Sequence, residues 1–409
     1  MSKPRLWIVS ELYYPEQTST GYFLTGIAEG LADTFDVQII CGKPSYSERG
    51  MKVARTESRH GTLIHRMRST RFNKDRLPLR AINALTLAVT ATVFALRRLR
   101  RGDRMLIVTN PPTLPPILTL IARFKGARSY LLVHDVYPEV LAATGMMRPG
   151  SIAWRAASAF FNRTLGWFDR IIVLGRDMQA LINNKVALGG RRSTIAIIPN
   201  WGDIEEIHPI TRARNDFAIE HQLVDRFVVQ FSGNIGRTHD VALLLEVAHR
   251  LEDLPDVVFL FVGYGGQANT VASHSGSNLR YLPRQPRDRL NAMLACSDAT
   301  VIAFKPAMNG VSVPSRMYNV MAAGVPIVAI ADADAELSLT VVENVAGWHL
   351  ASGDADALER LIRQLATPEG RAEARERGNN ARAALEPSYT LPRIVEQYRD
   401  LLLELETPA

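Results

Sequence analysis

Gly310-Val-Ser-Val-Pro-Ser-Arg-Met-Tyr-Asn-Val-Met-Ala-Ala-Gly-Val-Pro326 follows the apolar run 299–304 and leads into another, 325–330. Runs of that length read as buried strands. Between them, Pro314 suits the first turn of a helix, where its missing N–H costs nothing and its fixed φ fits. Gly324 suits the left-handed position that closes the same helix. Ser315 and Arg316 fall in the first helical turn. Free backbone N–H groups, a hydroxyl and a guanidinium then converge on one point, together with the positive end of the helix dipole. That point suits a phosphate. Asn319 stands one turn further along the same face, where its amide can both donate to and accept from a ribose.

The same grammar opens each half of the chain. Residues 6–10 read as a strand, 11–21 as a loop ending at Gly21, the next stretch through Leu31 as a helix, and 37–41 as a strand. In the second half the strand 227–231 is followed by the loop Ser232-Gly-Asn-Ile-Gly-Arg237, an amphipathic helix over 240–251, and a strand 257–262 that ends in Gly263-Tyr-Gly-Gly266. Two such openings predict an α/β chain of two Rossmann-like, doubly wound domains. The stretches 197–203 and 209–215 read as the linker between them.

Ligands of such sheets bind beyond the carboxyl ends of the strands. Two facing sheets bring the loops at Gly21, His134, Gly233, Gly263 and Ser315 around one cleft. Gly233 and Gly236 let backbone approach a ligand closely, while Arg237 and Lys305 offer positive charge to a diphosphate. The apolar strand 130–133 delivers His134 and Asp135. Asp135 can orient or deprotonate an acceptor hydroxyl, and His134 can donate to a sugar or a leaving phosphate.

These motifs, in this order, resemble those of the family 4 glycosyltransferases, retaining enzymes of the GT-B fold, and among them the colanic-acid-type subgroup. Pro314, Ser315 and Arg316 match the subgroup's Pro-Ser-basic pattern, and Asp135-Val-Tyr-Pro-Glu139 resembles its Asp-x-x-Pro-Glu motif. The family's Glu-x7-Glu pair falls on Val311 and Asn319, so neither carboxylate is present. Its Arg and Lys after the strand fall on Asn234 and His239. Glu336 aligns with a family Glu that contacts the sugar. The resemblance implies an acceptor-binding domain over 1–203, a nucleotide-sugar-binding domain over 204–390 and a C-terminal helix over 391–409 that can pack back on the first. It further implies transfer from a nucleotide-sugar donor to a lipid-linked glycan acceptor in exopolysaccharide or cell-surface polysaccharide biosynthesis. No metal or other cofactor is expected. Asp332-Ala-Asp334 and Asp354-Ala-Asp356 match a metal-binding Asp-x-Asp pattern only by a three-residue coincidence, and Arg stabilisation of the departing diphosphate can replace a cation.

Composition agrees with a two-domain enzyme. The chain has 409 residues, enough for two cores, and a globular hydrophobic content of 47%. Cys41 and Cys296 lie in or beside apolar runs, which reads as buried thiols in a reducing compartment, the cytoplasm. The N-terminal apolar run 6–9 is too short for a signal peptide. A net charge of +7 is concentrated around the apolar run 81–96, with Arg66, Arg68, Arg71, Lys74, Arg76 and Arg80 before it and Arg97, Arg98, Arg100, Arg101 and Arg104 after it. That run is shorter than a membrane span and includes Asn83, Thr86, Thr90 and Thr92, so it reads as a buried or interfacial helix. Its basic flanks suit anionic lipid on the inner face of the plasma membrane. No motif points to nucleic acid. Two other classes stay open. A nucleotide-sugar epimerase of the same architecture would isomerise its substrate without an acceptor, and a silent membrane-associated partner protein would turn over no donor.

Overall fold

Apolar stretches that are buried on both faces make the strands of two separate sheets. The computed structural model describes residues 3–44, 51–72, 77–190, 193–236, 238–274 and 276–404. The chain forms two compact units: the first gathers Met1–Ala142, Met147–Asn200 and Leu391–Ala409, the second Ala143–Met146 and Trp201–Thr390.

The first unit is built on β1 (Arg5–Ser10), β2 (Asp36–Cys41), β3 (Thr56–Arg59), β4 (Thr62–Arg66), β5 (Arg104–Val108), β6 (Arg128–Leu132), β7 (Arg170–Val173) and β8 (Thr194–Ile197). Their order is β3-β4-β2-β1-β5-β6-β7-β8. All neighbours are parallel except the β3–β4 hairpin. The C-terminal helix Leu391–Leu403 belongs to this unit and lies on the helix Ser19–Leu31. Gly30 permits the contact, since a Cβ there would stand 2.5 Å from a Val395 methyl. Arg399 donates to Thr34 Oγ1 at 2.9 Å, and Arg104 to the Leu402 carbonyl at 2.7 Å.

The second unit has β9 (Phe227–Asn234), β10 (Val257–Tyr264), β11 (Leu279–Pro283), β12 (Ala299–Ala303), β13 (Ile327–Ile330) and β14 (Gly347–Leu350), all parallel, in the order β11-β10-β9-β12-β13-β14. The winding reverses between β9 and β12, the place where such sheets open a crevice. These two strands pair only at Ala299–Val229 and Thr300–Gln230. Beyond that they separate. On the other side of β9 the ladder continues to Gly263–Gly233 and Tyr264–Asn234. There Gly263 adopts φ +154°, and a Cβ would sit 1.9 Å from the Gly233 carbonyl oxygen. No side chain fits that approach.

Two expectations need correction. The stretch 209–215 is part of the second unit, because Asn215 is buried, caps the helix Asp216–Glu220 through Ala218 N–H at 3.1 Å and donates to the Ala292 carbonyl at 2.8 Å. Polar composition there serves a cap, not a tether. Gly21 is not in a loop: Thr18 accepts its N–H at 3.4 Å as N-cap, and the helix starts at Ser19. The change of unit itself falls between Asn200 and Trp201.

Candidate active site

The crevice between β9 and β12 is occupied by Arg316. This residue opens the helix Arg316–Ala322. Its guanidinium donates from Nη1 to the Ser232 carbonyl at 2.7 Å and lies 4.7 Å from the centre of the Phe231 ring. Its Nη2 meets His239 Nε2. Among the described residues no carboxylate pairs with it. Burial lowers its pKa to about 10, so it stays charged at neutral pH. A Cβ on Gly233, which has φ +118°, would point at this guanidinium from 3.6 Å. The missing side chain leaves that side of the guanidinium uncovered by residue 233.

His239 is the residue that sequence reasoning undervalued. It bridges back to Phe304, stacks on that ring at 5.2 Å with 10° between planes, and is 6% exposed. Its Nδ1 lies 3.1 Å from the Ala303 carbonyl, which can only accept, so Nδ1 carries the proton and Nε2 offers its lone pair to Arg316. Burial, and then the Arg316 charge, hold its pKa well below the usual histidine value. The ring is neutral.

The other residues expected to bind the donor lie in the same unit. Ser315 takes the position before the short helix and makes no capping bond with its side chain. Asn319 accepts from the Asp203 N–H at 3.4 Å. Val311, at the position of the family's first Glu, is buried at 3% exposure. Asn234 folds between Gly236 and Gly265, whose Cβ atoms would approach its amide to 2.9 and 2.5 Å. The Lys305 N–H donates to the Thr238 carbonyl at 3.0 Å, placing that lysine just after β12. Glu336 is buried at the start of the helix Glu336–Glu343 and accepts from Thr340 Oγ1 at 3.1 Å. Arg237 lies outside the described residues. The helix carrying Arg316 ends where Gly324 turns left-handed at φ +67° and Arg382 donates to the Ala322 carbonyl at 2.5 Å.

In the first unit the turn after β6 is tied to the end of β5. The N–H groups of His134 and Asp135 both point at Thr109 Oγ1, at 3.1 and 3.3 Å. Burial lowers the His134 pKa to about 4, so this ring is neutral too, and its Nε2 has no partner among the described residues. Asp135 lines a small cavity of about 40 Å³ together with Thr109, Tyr137, Phe161, Phe168 and Lys185. Lys185 is nearly buried and donates to Glu139 Oε1 at 2.6 Å. Glu139 therefore neutralises a buried ammonium, a role that the motif Asp135–Glu139 alone does not disclose. Gly21, buried in the first turn of its helix, packs against the Glu16 carbonyl, which a Cβ would approach to 2.7 Å.

The acidic pairs are engaged elsewhere. Asp334 accepts from Asn309 at 2.8 Å, Asp354 caps the helix Ala355–Leu365 and Asp356 pairs with Arg250 at 2.6 Å. Among the described residues no three histidine, cysteine or acidic side chains cluster in a metal-binding geometry. Cys41 and Cys296 are free and buried.

The first unit also exposes an apolar surface. The helix Leu77–Arg98 is longer than the run 81–96 and passes the length and composition of a membrane span. Its inner face, with Leu87, Ala88, Ala91 and Ala95, is buried, and Phe94 lies 4.9 Å from His65 of β4. Its outer face presents Ile82, Leu85, Val89, Val93 and Leu96, each 39–57% exposed. The neighbouring helix Leu114–Lys125 adds Leu120 and Phe124, the latter 79% exposed. Two of the expected surface charges are not at the surface. Arg66 is fully buried, paired with Glu57 at 2.5 Å and bonded to the Tyr14 carbonyl at 3.0 Å, and Arg104 is held by the C-terminal helix. Lys74 and Arg76 lie outside the described residues. Arg68, Arg71, Arg80, Arg97, Arg98, Arg100 and Arg101 are exposed.

Residues 213–384 match the model of the family described as "Glycosyl transferases group 1". Over 365 residues the chain is 31% identical to WbjE of Pseudomonas aeruginosa, described as a probable glycosyltransferase, covering 88% of this chain and 89% of that protein. It is 27% identical over 342 residues to WcaI of Escherichia coli (strain K12), a glycosyl transferase named for colanic acid biosynthesis, covering 80% and 83%. HepE of Anabaena, solved in complex with UDP-glucose, superposes with a TM-score of 0.71 at 14% identity over 98% of this chain and 99% of that one.

Proposed function

The chain belongs to the group 1 glycosyl transferases, in the colanic-acid-type subgroup with the GT-B fold, and from that premise we propose that it moves a sugar from a nucleotide-sugar donor to a lipid-linked glycan. Its setting is polysaccharide biosynthesis. The observation that carries the donor assignment is Arg316, a mostly buried cation at the topological switch of the second sheet with no carboxylate partner among the described residues and a glycine opposite it. A buried charge demands an anion, and the diphosphate of a nucleotide sugar supplies one. The UDP-glucose complex of HepE supports the same ligand class. As a diphosphate leaves, charge builds on its oxygens, where Arg316 can stabilise it. Asp135 is assigned to the acceptor hydroxyl and His134 to a hydrogen bond with the sugar. The stereochemical course under this reading is retention. A screen of UDP-, GDP-, ADP- and dTDP-sugars by thermal unfolding tests the donor: at a hundred times its dissociation constant, the right one adds about 2.7 kcal/mol of stability. No stabilisation by any of them contradicts the reading.

We further propose that the protein works as a peripheral enzyme on the cytoplasmic face of the plasma membrane. A helix docked on its sheet by one face and apolar on the other, with exposed arginines at both ends, suits an interfacial position on anionic lipid. Binding to vesicles containing anionic lipid should fall steeply with salt. It should weaken further when Arg97, Arg98, Arg100 and Arg101 become Gln, each contributing about 1 kcal/mol near the surface. Val89→Glu with Val93→Glu should also release the protein while donor binding persists. Equal partitioning of the wild type and these variants onto the vesicles removes the membrane reading.

A further inference from the structure

Arg316 and His239 make an incomplete pair. A guanidinium donates to a neutral imidazole, yet both belong to a crevice that, on the reading above, receives a diphosphate. When a phosphate oxygen enters between the two side chains and accepts the particular Nη2–H that now points at His239, the lone pair on His239 Nε2 loses that donor. A buried acceptor then faces an acceptor, an arrangement that costs free energy unless one of them gains a proton. We propose that His239 is a second ligand of the donor diphosphate and that it takes up one proton from solvent as the donor binds. The imidazolium donates from Nε2 to a phosphate oxygen and keeps its Nδ1–H on the Ala303 carbonyl. The one bond formed is Nε2–H, its proton supplied by the solvent buffer, and no other covalent bond changes.

The surroundings favour this coupling. Among the described residues, the charged group that bears on the ring is Arg316, from the helix beyond β12. Phe231 and Phe304 supply the walls from β9 and β12, and Gln267 donates to the His239 carbonyl, away from the ring. Asp240, next in sequence, turns its carboxylate to the Leu243 N–H at 3.3 Å as a helix cap. Without ligand the ring is therefore kept neutral by burial and by one cation, and two added negative charges reverse the balance. The direction follows. The free-state pKa lies low and the bound-state pKa higher, so between them affinity rises as pH falls, by at most tenfold per unit, and it levels off outside that window.

Calorimetry of UDP-glucose and GDP-mannose binding, in two buffers of different ionisation enthalpy near neutral pH, reads the proton directly, because neither diphosphate diester titrates there. Wild type is expected to take up a net proton. His239→Gln should abolish the uptake and weaken binding by about ten- to a hundredfold. His239→Lys, which carries its charge already, should bind more tightly than the Gln variant with no uptake. Binding by wild type without uptake, or uptake that persists in His239→Gln, overturns the proposal and leaves the donor reading intact. Should neither nucleotide sugar bind at all, the donor reading falls and this proposal with it. The wild-type measurement stands even if a variant fails to fold.

Discussion

Asp135→Asn is expected to lower sugar transfer by about 10²- to 10⁴-fold, the range for a lost acid–base group, while donor affinity is unchanged. The carboxylate stands in the turn after β6, and Thr109 holds that turn by accepting two successive N–H groups. It lines a cavity of the first unit, whereas the buried cation belongs to the second unit. The amide is isosteric and cannot take a proton, so a fall in the transfer rate at saturating donor isolates chemistry from binding. His134→Ala should cost less. Burial keeps that ring neutral, with a pKa of about 4, which allows it a hydrogen bond to the sugar but not the part of a strong acid. Transfer by Asp135→Asn at a near-normal rate, with a competent acceptor, would make the carboxylate structural.

Arg316→Ala should weaken binding of nucleoside diphosphates and nucleotide sugars by about ten- to a hundredfold, since a charge-assisted hydrogen bond contributes about 1.5 to 3 kcal/mol. Truncation also leaves the Ser232 carbonyl and His239 Nε2 without their donor. For that reason Arg316→Lys is the companion variant. It keeps a point charge but loses the planar fork, and its affinity should lie between wild type and Ala. Transfer at saturating donor should recover partly in the Lys variant and hardly at all in the Ala variant. Equal affinity of all three for UDP and GDP sinks the donor site.

Residues with unusual backbone chemistry could be placed in part from the chain alone. Gly324 closes its helix in the left-handed conformation, as its type implies, whereas Gly233 and Gly263 lie within β9 and β10, which run past their apolar runs, and Pro314 stands one residue before the N-cap Ser315 rather than in the first helical turn. The long apolar runs, buried on both faces, disclosed parallel sheets. Contacts made by folding were not visible. His239 and Arg316 are 77 positions apart, and only the separation of β9 from β12 lets them meet. A histidine at a position where the family carries lysine was the available signal. Lys185 and Glu139 are 46 apart and find each other inside the first unit. Arg66 and Arg104 are buried although they belong to a run of charges, because a charge run and a buried pair look alike in one dimension. Gly21 reads as loop in one dimension because Thr18, a residue with many uses, gives no distinctive sign of capping.

The most direct test follows the sugar itself. Protein, the nucleotide sugar selected by thermal unfolding and a polyprenyl-diphosphate-linked sugar are incubated in detergent, and the organic-phase lipid is weighed by mass spectrometry. A gain of one glycosyl unit on the lipid, matched by release of nucleoside diphosphate and absent with Asp135→Asn, is the expected result. An isomerised nucleotide sugar formed without acceptor, or a bound donor that never turns over with any lipid-linked or free glycan, would contradict it.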